Sequence, residues 1–203
     1  MRTNLIAYLL KNKIKLSRIY TRNTIMGITW SRVVMNRETA KLLENLPFSK
    51  WRVLEVSGKT WETFGFQEYE NINYPEYDIC SAPLPRKFDL IIAEQVFEHL
   101  LYPYRAGRNT ISMLHPGGYF LISVPFLVKL HNYPIDCTRW TETGLKHFLH
   151  ECGFPLNNIQ TGSWGNRQCI IANFSQWVEY DPVSHSLDNE PEFLYHVWAL
   201  AHL

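Results

Sequence analysis

Residues 51–61 read WRVLEVSGKTW: an apolar run from Arg52 to Val56 empties into a small, polar turn. A buried strand ending in such a turn is a common start for a nucleotide site, because open parallel sheets bind ligands outside their strand carboxyl ends. Gly58-Lys59-Thr60 imitates the tail of a phosphate-binding loop. That loop needs a glycine five positions ahead of its Gly-Lys pair, so that successive N–H groups wrap a phosphate. The residue there is Val53, inside the strand, and ATP or GTP hydrolysis of that type is excluded. Glu55 remains as either a ligand-orienting group or a strand-end carboxylate bonded to nearby N–H groups.

The rest of the chain supplies an α/β context. At 203 residues, 46% hydrophobic and 19% charged, it suits one globular domain with a sizeable core. NRETAKLLENLP (36–47) predicts a helix that stops before Pro47, and YENINY (69–74) a second strand. YDIC (77–80) reads as a short extended piece. KFDLIIAEQVFEHLL holds an apolar strand, Phe88 to Ala93, that turns at Glu94-Gln95 into a helix. A further helix is closed by Pro116-Gly117-Gly118, and YFLISVPF is another buried strand. TETGLKHFLHECGF predicts a helix capped by Thr141 and stopped by Gly153. NNIQTGSW and EFLYHVWALA are the last strands, with a helix around 167–178 between them. Alternating strands and helices imply an open, mostly parallel sheet covered on both faces.

Charge divides the chain. Residues 1–37 hold eight Lys/Arg and no acid, whereas residues 38–203 hold twelve basic and nineteen acidic residues. The expected domains are a basic, helical extension at 1–35 and an α/β domain at 36–203. The extension suits an anionic partner, an anionic membrane surface or the acidic body itself. The acidic body argues against a nucleic-acid substrate. LIAYLL (5–10) is too short to span a bilayer or serve as a signal core. Cys80, Cys137, Cys152 and Cys169 show no C-x-x-C pairing, so reduced thiols, a cytoplasmic location and no zinc site are expected.

Four segments, in order, carry a resemblance: RVLEVSG, YDICSAPLPRKFDLIIAEQVFEHL, MLHPGGYFLISVPF and PIDCTRWTETGLKHFLHECGF. Together they resemble class I S-adenosylmethionine-dependent methyltransferases of the type 11 group over about residues 36–203. The resemblance implies a Rossmann-like, mostly parallel seven-stranded sheet with helices on both faces. It implies S-adenosyl-L-methionine as cofactor, lined by Glu55, Ser57, Gly58, Asn73, Asp78, Ile79 and Glu94. Asp78 would accept the adenine amino group, or cap a turn. The chain departs from the family pattern at Ser57, Lys59 and Trp61, where glycines alternate in the family, and at Asn73-Tyr74, where an acid holds the ribose. These departures motivate a second reading, a non-catalytic binding or scaffold module.

The loop KLHNYPIDCTRWT (129–141) follows the strand that ends at Phe126. Methyl transfer needs alignment and a base for the acceptor's proton. His131 as base, with Asp136 orienting it or serving instead, fits O-methylation of a small-molecule or sugar acceptor. Asp136 and Arg139 can equally brace the loop as a pair. Arg139, Trp164, Asn166 and Arg167 are the candidate acceptor contacts. GSWGNR (162–167) is read either as such a wall or as a packing turn. His99 reads as a packed, hydrogen-bonded helix residue.

Overall fold

A computed structural model describes residues 27–203 of the chain. The basic stretch 1–26, and with it the expected anionic partner or membrane contact, lies outside the described residues.

The β-strands are β1 (Arg52–Val56), β2 (Glu68–Ile72), β3 (Phe88–Glu94), β4 (Leu114–Pro125), β5 (Ile159–Gly165) and β6 (Leu194–His202). The helices are α1 (Trp30–Leu43), α2 (Pro103–Ser112), α3 (Glu142–Cys152) and α4 (Arg167–Asn173). One six-stranded sheet has the order β2-β1-β3-β4-β6-β5. The first four strands in that order pair in parallel, and β6 runs antiparallel to both β4 and β5.

The apolar runs explain the layering. Alternate residues of a strand face opposite sides, so a continuous apolar run must be covered twice. Leu54, Ile91, Ala93, Phe120 and Ile122 pack on one side with Ala106 of α2 and Leu145, Phe148 and Leu149 of α3. Val53, Leu90, Ile92 and Leu121 pack on the other with Ala40 and Leu43 of α1. Trp30, Val34 and Met35 of α1 extend that second face over Trp164, Tyr195 and Trp198. Full burial of one such side chain contributes about 1.5–3 kcal/mol.

Four expectations need correction, the first being that the helix expected directly after Gln95 is only the short 3₁₀ turn Phe97–His99. The sheet has six strands among the described residues, not seven, because YDIC is a turn: Asp78 accepts the Cys80 N–H (2.8 Å) and the Ser81 hydroxyl (3.0 Å). Pro116-Gly117-Gly118 does not close a helix but forms a bulge within β4, where the register jumps from Phe88↔Leu114 to Leu90↔Tyr119. The helix expected from Asn36 starts at Trp30, because Trp30 is anchored far along the chain, donating its indole N–H to the Ser186 carbonyl (2.9 Å). All four cysteines are free, Cys137 alone being exposed. Among the described residues no helix is long and apolar enough to cross a membrane.

Gly165 sits where β5 bulges against the segment that leads into β6, and a Cβ there would lie 1.7 Å from the Phe193 carbonyl oxygen. Backbone cannot step aside as a side chain can, so Gly165→Ala is expected to lower stability in urea unfolding by about 3 kcal/mol. An unchanged midpoint would contradict this packing.

Candidate active site

The carboxyl ends of β1 and β3 open onto a cleft. Each ends in a left-handed residue that is not glycine: Ser57 (φ 65°) and Gln95 (φ 56°). Such backbone costs about 1–3 kcal/mol per residue and concentrates at functional sites. The cleft has a volume of about 390 Å³; Ser57, Gln95 and Asp78 supply polar groups, and Tyr77, Ile79 and Leu101 are among its apolar walls.

Glu55 takes the second of its two expected roles. Buried at the end of β1, its carboxylate accepts the Thr60 N–H (2.9 Å), the Trp61 N–H (3.0 Å) and the Tyr69 hydroxyl (2.6 Å). Those bonds curl the 57–61 turn back over the strand and bury Trp61 against Phe64. Asn73 completes the turn by accepting the Gly58 N–H (3.0 Å). Of the expected cofactor residues, Ser57, Asp78 and Ile79 line the cleft, while Glu55, Gly58, Asn73 and Glu94 do not. Glu94 is buried 3.7 Å from the Arg32 guanidinium; burial raises its pKa, and Arg32 partly offsets this.

A second cleft of about 360 Å³ adjoins the first, sharing Gln95, His99 and Tyr133 with it. His131, Arg32, Trp177, Tyr195 and His196 also line it. His131 is held by Asp136, whose carboxylate lies 3.2 Å from Nδ1 and accepts the His131 backbone N–H (2.9 Å). Arg139 grips the same carboxylate with two N–H groups, and these bonds hold the Asp136 pKa down at about 2. Asp136 is therefore ionised, and its carboxylate joins His131 to the Arg139 guanidinium. Burial keeps the His131 pKa below the ordinary imidazole value, against the pull of Asp136.

The loop Gly162–Arg167 is the packing turn of its two readings. Trp164 is buried and donates its indole N–H to the Leu187 carbonyl (3.1 Å). Asn166 caps α4 through the Cys169 N–H (3.0 Å), and Arg167 lies over the Phe193 ring. None of the three lines either cleft.

Two groups were not foreseen. Glu98 is fully buried in the short 3₁₀ turn Phe97–His99, with a pKa raised to about 8, mainly by burial. His196, in β6, is buried with both ring nitrogens lacking hydrogen bonds, and burial lowers its pKa to about 3. Each is flanked by apolar residues, in FEHLL and LYHVWAL, and such a setting gives no sequence signal that a polar group is buried.

A family model described as a methyltransferase domain matches residues 29–157. The chain belongs to this methyltransferase family. It is therefore an enzyme of the class I, S-adenosylmethionine-dependent type, with S-adenosyl-L-methionine as cofactor, rather than the non-catalytic module that Ser57, Lys59 and Trp61 suggested. A search of curated proteins finds no match. Among solved structures it is similar to an S-adenosylmethionine-dependent methyltransferase from Mesorhizobium loti (14% identity, 85% of this chain and 98% of that one, TM-score 0.51). It is similar to another from Archaeoglobus fulgidus (14%, 83% and 94%, TM-score 0.54). A phosphoethanolamine N-methyltransferase from Haemonchus contortus, solved with phosphomonomethylethanolamine and S-adenosylhomocysteine, matches with TM-score 0.54 (12%, 96% and 58%). At these identities the likeness shows the fold.

The first cleft fits the cofactor: an apolar slot within the usual ligand-pocket range of roughly 300–1,000 Å³, with a carboxylate at its edge and two opened strand ends. Tyr77, Ile79 and Leu101 would flank the adenine, and Asp78 would accept its amino group. Asp78→Ala is expected to weaken S-adenosylhomocysteine binding about tenfold by calorimetry, the value of one hydrogen bond to a charged group. Equal affinity in the two proteins would remove Asp78 from the site.

His196 gives a pH signature. Its folded pKa lies below the ordinary 6.5, so the fold keeps it neutral while the unfolded chain protonates it. Its share of stability is complete above pH 6.5 and erodes as pH falls towards 3. Relative to His196→Asn, the wild type should lose about 1.4 kcal/mol per pH unit below pH 6 in chemical unfolding. Parallel pH profiles would contradict a buried neutral imidazole.

Proposed function

We propose that this methyltransferase O-methylates a hydroxyl-bearing small molecule or glycan-type acceptor that enters the second cleft. The observation behind this is the placement of His131: its ring lies in that cleft, Nδ1 is held by Asp136, and Nε2 points to the interior beside His99 and Glu98. Bound S-adenosylmethionine supplies an electrophilic methyl group and leaves as S-adenosylhomocysteine.

The chain's own residues do the rest. Nε2 of His131 takes the acceptor's hydroxyl proton, and the ionised Asp136 steadies the ring as it gains charge. Trp177 and Tyr195 offer aromatic walls for a sugar or ring, and Gln95 and Tyr133 stand where the two clefts meet. Alignment across that junction is the main catalytic contribution.

With radiolabelled cofactor and a panel of phenols and glycosides, His131→Gln is expected to cut turnover on any accepted hydroxyl by about 100-fold or more. S-adenosylhomocysteine affinity should stay within about twofold, because His131 does not line the first cleft. Turnover within about threefold of wild type would refute the role given to His131.

A further inference from the structure

The interior side of the second cleft has an electrostatic oddity. Oε1 of Glu98 lies 3.6 Å from Nε2 of His99 and 4.0 Å from Nε2 of His131. The two rings meet edge to face with centroids 5.0 Å apart. Both imidazoles turn their other nitrogen to an acceptor: His99 Nδ1 meets the Ile135 carbonyl, and His131 Nδ1 lies between Asp136 (3.2 Å) and the Lys129 carbonyl (3.3 Å). Those partners fix the proton on Nδ1 of each ring and leave two bare Nε2 lone pairs facing a carboxylate. Glu98 itself is wholly buried, and neither of its oxygens has a hydrogen-bond partner. Two bare imidazole lone pairs and an unpartnered carboxyl group thus converge on one space, where a bound cation would displace the carboxyl proton.

We infer that Glu98, His99 and His131 form a binding site for one divalent first-row transition-metal ion. One ligand atom from each residue lies within 4.8 Å of the others. Zinc–nitrogen bonds of about 2.0–2.1 Å put tetrahedral ligands about 3.3 Å apart, so small side-chain rotations close the set. Two imidazoles and one carboxylate, with a remaining position open, match catalytic zinc sites and two-histidine, one-carboxylate centres. Magnesium and calcium, which prefer oxygen ligands, are disfavoured. The supporting shell is present as well. Ligating histidines usually donate their second N–H to a carbonyl or carboxylate, as both do here. The Glu98 carbonyl accepts the Cys137 N–H (2.7 Å) and the Thr138 N–H (3.2 Å), so the loop bearing His131 is tied to the turn bearing the other two ligands.

This inference rests on the proposed acceptor reading and deepens it. His99 lines both clefts, so the open position faces the acceptor's space. An acceptor oxygen taking that position gains a metal–oxygen bond and loses its O–H bond, the proton leaving to solvent at neutral pH. In the loaded protein His131 is then a ligand, and the cation replaces it in ionising the hydroxyl.

The test titrates zinc, and separately cobalt(II), into the chelator-stripped full chain without an affinity tag. One equivalent should bind, with a low-coordinate cobalt absorption spectrum. His131→Ala and Glu98→Gln should each weaken binding by about 100-fold or more, and Asp136→Asn by about 10–100-fold. S-adenosylhomocysteine binding checks that each variant is folded, and His131→Ala, at a half-buried position, decides the case if Glu98→Gln does not fold. Failure to bind zinc or cobalt, or equal binding by wild type and folded His131→Ala through the exposed Cys137 thiol, overturns the inference. Methyl transfer that persists in chelator yet is lost in His131→Gln would sink the metal site and leave the base reading standing. Cation binding with transfer unaffected in His131→Gln would sink the acceptor reading instead.

Discussion

The Glu55 carboxylate, buried beneath the turn it organises, is the interaction on which the site depends. It accepts two backbone N–H groups and the Tyr69 hydroxyl, and so replaces with one side chain the tight glycine turn that the family resemblance implies. Hydrogen bonds to a charged group contribute about 1.5–3 kcal/mol each, which outweighs the cost of left-handed backbone at Ser57. Trp61, drawn under the sheet by its bonded N–H, then packs where no cofactor has to pass. The first cleft survives because the bulky residue is pulled inward.

The same logic governs the second cleft. Strand ends alone would not hold the long connection after β4 in place. Arg139 and Asp136 brace that loop from within, and the Glu98 carbonyl ties it to the end of β3. The enclosed groups, Glu98 and His196, are buried polar residues with unsatisfied atoms, a costly arrangement that packing alone does not require. His196 lines the second cleft, and Glu98 lies behind its His99 and His131 rings.

Most of the sheet was legible because its strands are apolar on both faces. Runs such as FDLIIA and FLISV have few other solutions in a chain of this size. What escaped depends on distant partners. The helix starts at Trp30 only because β5 and β6 supply Trp164, Tyr195 and Trp198 to cover it. YDIC reads as extended because nothing local shows Asp78 closing a turn. Ser57 and His131 stand in loops that follow strands, and Asp78 and Ile79 come from the family resemblance; all four line one of the two clefts. The polar loop Gly162–Arg167, by contrast, satisfies its groups internally, and sequence polarity does not separate those cases. Glu98 and His99 read as helix interior, since only the folded loop brings His131 to them.

The Glu55-held turn must leave a working cofactor site. Calorimetric titration of S-adenosylhomocysteine into wild-type protein, with Glu55→Gln alongside, tests this most directly. One equivalent should bind at micromolar affinity, with weaker binding in Glu55→Gln as the turn loses its anchor. A folded wild-type protein that shows neither heat nor thermal stabilisation would contradict it.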